Sequence, residues 1–315
     1  MHTVGLVVYP NFQSLALAVA SVFEYANLQC EAPFYRFSIV SEQGGPITSS
    51  QGFSVFSEPL AETGYDTLIV AGDNECQLPS AALLDYVRHA PQHSRRVASI
   101  CTGAFVLAAA GLLEGKRATT HWYHARDLKA RYPAIQLEED RIFVVDGQIW
   151  TSAGMSAGVD LALAIVESDL GMDAARTVAR KLVLYQRRGG GQSQFSALLE
   201  LNARSDRVQL ALTFASENLA SDLSVERLAE AARLSPRQFS RVFREETGQS
   251  PAKAVERLRV EAARLMMETT RHPIEIIARD TGFGDRERMR QAFLRAFGQP
   301  PQTIQRAAGA MQVAL

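Results

Sequence analysis

The sequence predicts an α/β protein: a doubly wound, mainly parallel sheet domain, followed by an all-α domain made of two copies of one two-helix unit. Three observations predict it. Short apolar β-type runs alternate with helical patterns through the first 170 residues, and that texture ends at a glycine run, RRGGGQSQF (187–195). From Val208 onward almost no β-type run remains, and two segments repeat at an offset of 50 residues. At 315 residues the chain exceeds what one core usually organises, so two domains are expected.

In chain order, TVGLVVY (3–9) reads as a strand, SLALAVASVFEYAN (14–27) as a helix and FYRFSIV (34–40) as a strand. TLIVAG (67–72) is a strand, PSAALLDYVRHA (79–90) a helix and VASI (97–100) a strand that runs into a helix from Thr102. Such near-continuous apolar strands suit a sheet covered on both faces by helices. RATTHW (117–122) reads as another strand, and RIFVVDGQIWTS (141–152) as a hairpin turning at Asp146-Gly147. MSAGVDLALAIVESDL (155–170) and the pattern after Met172 are helical and carry the chain to the glycines. Three consecutive glycines cannot continue a helix cheaply. The expected division is therefore a domain over 1–190, a linker over 191–207 and a second domain over 208–315.

With 47% hydrophobic and 21% charged residues, the composition is that of an ordinary globular protein. No apolar run approaches the roughly 18 residues that span a bilayer, and the start MHTVGLVVYP lacks a charged n-region and a cleavage site. No membrane partner and a cytoplasmic location are expected. Three scattered cysteines, Cys30, Cys76 and Cys101, make no disulfide framework, and no C-x-x-C pair suggests zinc. The pairs His121/His124 and His89/His93 have metal-like spacing, but the second straddles Pro91 and neither has a third ligand nearby, so no metal and no cofactor are expected. Residues 205–306 carry 17 Lys and Arg against 14 Asp and Glu, a net of +3, leaving −4 for the rest. The excess is small, but its cations are nearly all Arg, the residue suited to phosphate and guanine.

The repeat aligns FSRVFREETGQSP (239–251) with MRQAFLRAFGQPP (289–301), matching Phe243 with Phe293, Gly248 with Gly298 and Pro251 with Pro301. In the first copy SVERLAEAA (224–232) starts at an N-cap Ser224, Leu234 and Ser235 turn, and Pro236 opens a second helix that runs to Gly248. Phe239, Val242 and Phe243 at i, i+3, i+4 must face a core, which forces Arg237, Ser240, Arg241 and Arg244 outward. In the second copy TGFGD (281–285) turns, Met289, Ala292 and Phe293 face in, and Arg286, Arg290 and Gln291 face out. A short helix crossing another that presents Arg, Gln and Ser suits the DNA major groove, where Arg pairs with guanine and Gln with adenine. A connecting helix over 252–270 would hold two such reading heads about 34 Å apart, in successive grooves. The partner expected from these residues is double-stranded promoter DNA.

"LSVERLAEAARLSPRQFSRVFREETGQSP", "RLRVEAARLMM" and "IARDTGFGDRERMRQAFLRAFGQPPQTIQR" make residues 208–306 resemble the DNA-binding domain of the AraC/XylS family of transcription regulators. The resemblance implies base reading by Arg237, Ser240 and Arg241 in the first unit and by Arg290 and Gln291 in the second. Ile304 departs from the Tyr frequent in the family, which bears on packing.

Cys101 follows a strand and precedes a helix, between Ser99 and Gly103, as in the elbow that exposes a nucleophile at a helix N-terminus. The helix dipole there lowers a thiol's pKa. His121 ends a strand from which a base can approach, and the backbone at Gly72 and Asp73 can offer an N–H to an oxyanion. Cys30 and Cys76 read as ordinary buried thiols. Trp122 and His124 either line the same cleft or belong to the core.

"CTGAFVLAAAGLLEGKRATTHW", "WTSAGMSAGVDLALAIVE" and "RRGGGQSQF" make residues 3–190 resemble the class I glutamine amidotransferase-like superfamily of the PfpI type, in its GlxA-type regulator branch. That resemblance implies a doubly wound sheet, a homodimer formed through this domain, and sensing rather than catalysis. Where related enzymes set a carboxylate against the cysteine, this sequence has Ala16 in FQSLALAVA (12–20), with Glu24 as a distant substitute. Gly72, Asp73, Cys101, Thr102 and His121 are therefore expected to bind a small-molecule effector, with amino acids and betaine-like metabolites the classes to try, and Cys101 and His121 to be vestiges of a catalytic pair. RNA polymerase is a further partner this reading allows. Two alternatives stay open: a Cys101-dependent amidase or glyoxalase-like hydrolase tethered to DNA, and a redox switch at Cys101.

Overall fold

In the computed structural model of the chain, the described residues are 1–154, 156–184, 201, 205–270 and 272–306. They belong to two compact units, Met1–Gln194 and Phe195–Leu315. The glycine run and most of the expected linker lie outside the described residues.

The first unit is built on an eight-stranded sheet of order β3-β4-β2-β1-β5-β6-β10-β9. Strands β1 (His2–Val7), β2 (Tyr35–Ser41), β5 (Thr67–Val70), β6 (Arg96–Ile100) and β10 (Ile149–Ser152) run parallel through its centre. Residues of β5, β6 and β10 are buried throughout, which explains why the sequence shows unbroken apolar runs there. Helices α1 (Ala18–Asn27), α5 (Ser156–Leu170) and α6 (Met172–Lys181) pack on one face around Phe12, Phe23, Ile100 and Leu161. Helices α2 (Ala81–His89), α3 (Gly103–Ala109) and α4 (Trp122–Arg131) pack on the other around Val70, Leu83, Phe105 and Leu128. Two hydrophobic layers on one sheet are what doubly wound means physically.

The expected hairpin is present. β9 (Phe143–Asp146) runs antiparallel to β10, and its two-residue loop begins at Gly147, φ +60°. Two expectations need correction. RATTHW is not one strand: only Arg117–Ala118 (β7) pairs, with Gln136–Leu137 (β8), and His121 caps α4. The chain leaves the ladder because Thr119 and Thr120 bond elsewhere, the Thr119 N–H donating to the Thr151 hydroxyl (2.8 Å) and the Thr120 hydroxyl to the Cys101 carbonyl (2.9 Å). The sheet edge formed by β3 (Gln43–Thr48) and β4 (Ser54–Pro59) also went unpredicted. Its residues are mostly exposed or half-buried and include Gly44, Gly45 and Pro46, so an edge strand here needs no apolar alternation.

The second unit is helical. α7 (Asp206–Glu217), α8 (Val225–Ala231) and α9 (Pro236–Thr247) enclose Leu212, Leu228, Phe239 and Phe243. α11 (Ile274–Asp280) and α12 (Arg286–Phe297) enclose Ile277, Met289 and Phe293. The long α10 (Pro251–Thr269) serves both cores, giving Val255 and Leu258 to the first and Val260 and Met267 to the second. Most starts carry a side-chain cap, that of α11 excepted. Ser224, Ser235, Ser250 and Asp285 cap α8, α9, α10 and α12, Ser235 in a capping box with Gln238. Both α9 and α12 stop at a left-handed glycine, Gly248 and Gly298. The two turns differ in length, and the second depends on Gly282 (φ +80°), where a Cβ would come 1.8 Å from the Leu219 carbonyl oxygen. Ile304 packs half-buried against the second core.

Candidate functional site

Parallel strands of a doubly wound sheet open a crevice at their carboxyl ends, where the chain direction switches from one side to the other. Here the switch falls at β1, whose neighbours are β2 and β5. Tyr9 lies just beyond β1, Gly72 and Asp73 just beyond β5, and Cys101 just beyond β6. All of them are buried.

Cys101 sits at φ +56°, a left-handed conformation that a non-glycine residue holds only when its surroundings enforce it. Gly154 is one such constraint: a Cβ there would lie 2.1 Å from that of Cys101. The adjoining Thr102 ties the elbow to β5. Its hydroxyl accepts from the Asp73 N–H (2.8 Å) and donates to the Asp73 carbonyl (2.7 Å). The N–H named above as an oxyanion donor is therefore already engaged at Asp73. The Asp73 carboxylate is engaged too, accepting from the N–H groups of Cys76 (2.8 Å) and Gln77 (2.9 Å). Of the five expected crevice residues, Gly72, Asp73, Cys101 and Thr102 come together as one packed element.

The thiol itself departs from expectation in two ways. Burial pushes Cys101 up to about 11, outweighing the hydrogen bonds from the Thr102 backbone, the Gln13 side chain and the Thr102 side chain that favour the thiolate. The helix-dipole effect expected from sequence is thus overridden by desolvation. Second, those hydrogen bonds come from Gln13 and Thr102; no His121 contact with the sulfur is among them. His121 is the N-cap of α4, its Nδ1 accepting from the Tyr123 N–H (3.3 Å). Burial, with His124 nearby, lowers its pKa. Gln13 went unnoticed in the sequence because a neutral amide carries no catalytic signal; Ala16, at the site expected for an acid, is buried.

An imidazole does meet a thiol, at a different cysteine. His124 Nδ1 lies 3.3 Å from Cys76 Sγ, 48 residues apart in the chain. Cys76 also holds a left-handed backbone, φ +54°. Burial and the carboxylates of Asp73 and Asp127 push its thiol up to about 12, while burial lowers His124. The pair therefore rests uncharged, with thiol and imidazole both neutral. Near enough to both cysteines to feel their charge is the Tyr9 hydroxyl, which has no hydrogen-bond partner among the described residues although Tyr9 is only 6% exposed. Burial raises its pKa, and so does negative charge at Asp73, Cys101 and Cys76. Leaving a buried hydroxyl unsatisfied costs about 1–3 kcal/mol. Trp122 and Tyr123, next to His121, are exposed at 47% and 71%, unlike core aromatics.

In the helical unit, α9 buries Phe239 and Phe243 and leaves Arg237, Arg241 and Arg244 exposed, with Ser240 half-buried. Among the described residues Arg237 and Arg244 form no ion pair, and Arg241 only a 4.0 Å approach to Glu245. On α12, Arg286 and Gln291 are exposed and Arg290 half-buried, but each has an acidic partner. Arg286 pairs with Glu275 (2.7 Å), and Glu287 accepts from Arg290 (2.7 and 2.8 Å) and Gln291 (2.9 Å). Those bonds hold the Glu287 carboxyl down at about 2. Glu287 was missed, though the 50-residue register places it opposite Arg237.

Comparison with known proteins agrees with both halves. The DJ-1/PfpI family matches residues 22–168 and a helix-turn-helix domain matches residues 228–307. The HTH-type transcriptional regulator GlxA of Rhizobium meliloti (strain 1021) is 30% identical over 98% of this chain and 97% of its own. The isonitrile hydratase of Pseudomonas putida is 34% identical over 57% of this chain and 77% of its own. In fold, the chain is similar to the crystal structure of an AraC family transcriptional regulator from Pseudomonas putida, at TM-score 0.53 and 22% identity over 58% of this chain and 100% of that one.

A DJ-1/PfpI sheet domain joined to tandem helix-turn-helix units defines a class, the DNA-binding transcription regulators that carry their own sensing domain. This chain belongs to the GlxA-type family of HTH-type transcriptional regulators.

Proposed function

We propose that the chain is a one-component regulator in which a small nitrogenous metabolite, an amino acid or betaine-like compound, binds at Gly72, Asp73, Cys101, Thr102 and His121. Promoter DNA is read by Arg237, Ser240, Arg241 and Arg244 on α9 and by Arg286, Arg290 and Gln291 on α12. It acts in the cytoplasm as a homodimer held by the first unit, and RNA polymerase is a further partner. The observation that carries this reading is α9: its aromatic face is sunk in the core while the opposite face carries Arg237 and Arg244, which have no ion pair among the described residues, and Arg241. Groups so arranged are available for phosphates and base edges. Effector binding reaches DNA by shifting the relative placement of the two helical units of the dimer. Footprinting on DNA upstream of neighbouring genes tests the proposal, with protection expected at physiological salt and absence of any sequence-specific footprint ending it.

A second reading, catalysis at Cys101, is favoured by the likeness to the isonitrile hydratase. Against it stands a buried neutral thiol bonded by Gln13 and Thr102, without a base on the sulfur. The enzyme reading predicts turnover of amides or dicarbonyls that disappears in Cys101→Ala; an unaltered protein with no such turnover would remove it.

A further inference from the structure

We propose that Cys76, His124 and Tyr9 form a covalent-capture site for a small, uncharged α,β-unsaturated carbonyl compound. The site requires nothing of the DNA-reading helices and stands whether or not the effector reading holds.

Three functions coincide there. Cys76 supplies sulfur, 3.3 Å from His124 Nδ1, a nitrogen that can take the thiol proton when the ring hydrogen sits on Nε2. The Tyr9 hydroxyl supplies a donor that has no hydrogen-bond partner among the described residues. It lies close enough to both Cys76 and Cys101 for their charges to bear on it, yet it bonds neither. That gap is what a conjugated acceptor bridges, because its attacked carbon and its oxygen are separated by two further atoms, whereas simple carbonyl addition would need donor and sulfur around one C–O bond. In the step, sulfur bonds to the β-carbon and the C=C π pair moves to the carbonyl oxygen, which the Tyr9 O–H stabilises. His124 takes the thiol proton and returns it to the α-carbon as the enolate collapses. Reactant and protein together conserve every atom, and no oxidant is needed.

Size and charge of the ligand follow from the surroundings. Cys76 is 5% exposed, which admits only a small molecule. Asp73 from the loop after β5 and Asp127 from α4 face the pair and disfavour anions, Arg131 of α4 disfavours cations, and His121 and Cys101 adjoin as neutral groups. Burial itself opposes any charged ligand.

The test uses the full-length protein and substoichiometric N-ethylmaleimide, with adduct formation at Cys30, Cys76 and Cys101 resolved by mass spectrometry of peptides. A neutral thiol with a built-in base reacts at a rate set by the unprotonated fraction of His124, whose pKa is depressed below its usual 6.5. The Cys76 rate should therefore change less than twofold between pH 8 and pH 6.5. Half-buried Cys30, whose sulfur meets the Ala26 carbonyl (3.6 Å) and no imidazole among the described residues, serves as the reference thiol without a built-in base. His124→Gln should slow Cys76 at least tenfold at pH 6.5, as loss of a general base does, and leave Cys30 unchanged. Tyr9→Phe should slow maleimide addition severalfold but not displacement of iodide from iodoacetamide, where no enolate forms. Labelling of Cys76 no faster than Cys30, labelling only at the rate of unfolding, or a tenfold fall per pH unit at Cys76 in the unaltered protein would each overturn the proposal.

Discussion

The two helix-turn-helix units share a frame and differ in surface. Phe243 and Phe293 are both fully buried, 50 residues apart, and Gly248 and Gly298 close both helices with the same left-handed stop. Yet α9 offers Arg237 and Arg244 without an ion pair among the described residues, while α12 has Glu287 where α9 has Arg237, and ties Arg290 and Gln291 to it. Core packing fixes where a helix axis runs and is indifferent to what the far face carries. The surfaces were free to diverge, and under the DNA-reading proposal they divide the work: α9 would contribute affinity through its cations, and α12 discrimination, because its Arg and Gln must leave Glu287 before they reach a base.

Truncating the shared frame should give the largest effects and nearly equal ones. Phe243→Ala and Phe293→Ala should each cost about 3–5 kcal/mol in denaturant melts of the full chain. A difference between them of several kcal/mol would mean that the frames are not equivalent. Changes to the reading faces come next and should be unequal. Arg241→Ala should weaken operator binding about tenfold or more and reduce its salt dependence, as loss of a base or phosphate contact does. Arg290→Ala, measured by anisotropy on the same DNA, should change base preference more than affinity. Smaller still, Glu287→Gln should raise affinity for unrelated DNA by a few-fold, since it releases Arg290 from its carboxylate. With the Glu287 carboxyl held at about 2, that restraint is present at all pH values above it and is lost only as pH falls through it, so selectivity should be flat from pH 5 to 8. The smallest effect is expected at the elbow: Cys101→Ser should alter unliganded operator affinity less than twofold.

Much of this was legible in the chain. Burial on both sheet faces wrote β5, β6 and β10 as apolar runs, and the 3.6-residue period wrote α9 and α12 as amphipathic helices with their caps. The β3–β4 edge was illegible because an edge strand is under no demand to alternate. Site geometry was legible only where chain neighbours make it, as at Cys101-Thr102. Cys76 and His124 meet through the packing of a loop against a helix, and no spacing rule encodes a contact of that kind. Glu287 was within reach, since laying α12 over α9 at the 50-residue offset shows a charge reversal at Arg237.

One measurement bears most directly on the role of the helical unit: occupancy of upstream DNA by the full chain, followed by footprinting, with Arg241 and Arg290 both replaced by alanine. A protected site present in the parent and lost in a double variant that melts normally is the predicted result. Undiminished protection by that variant would contradict it.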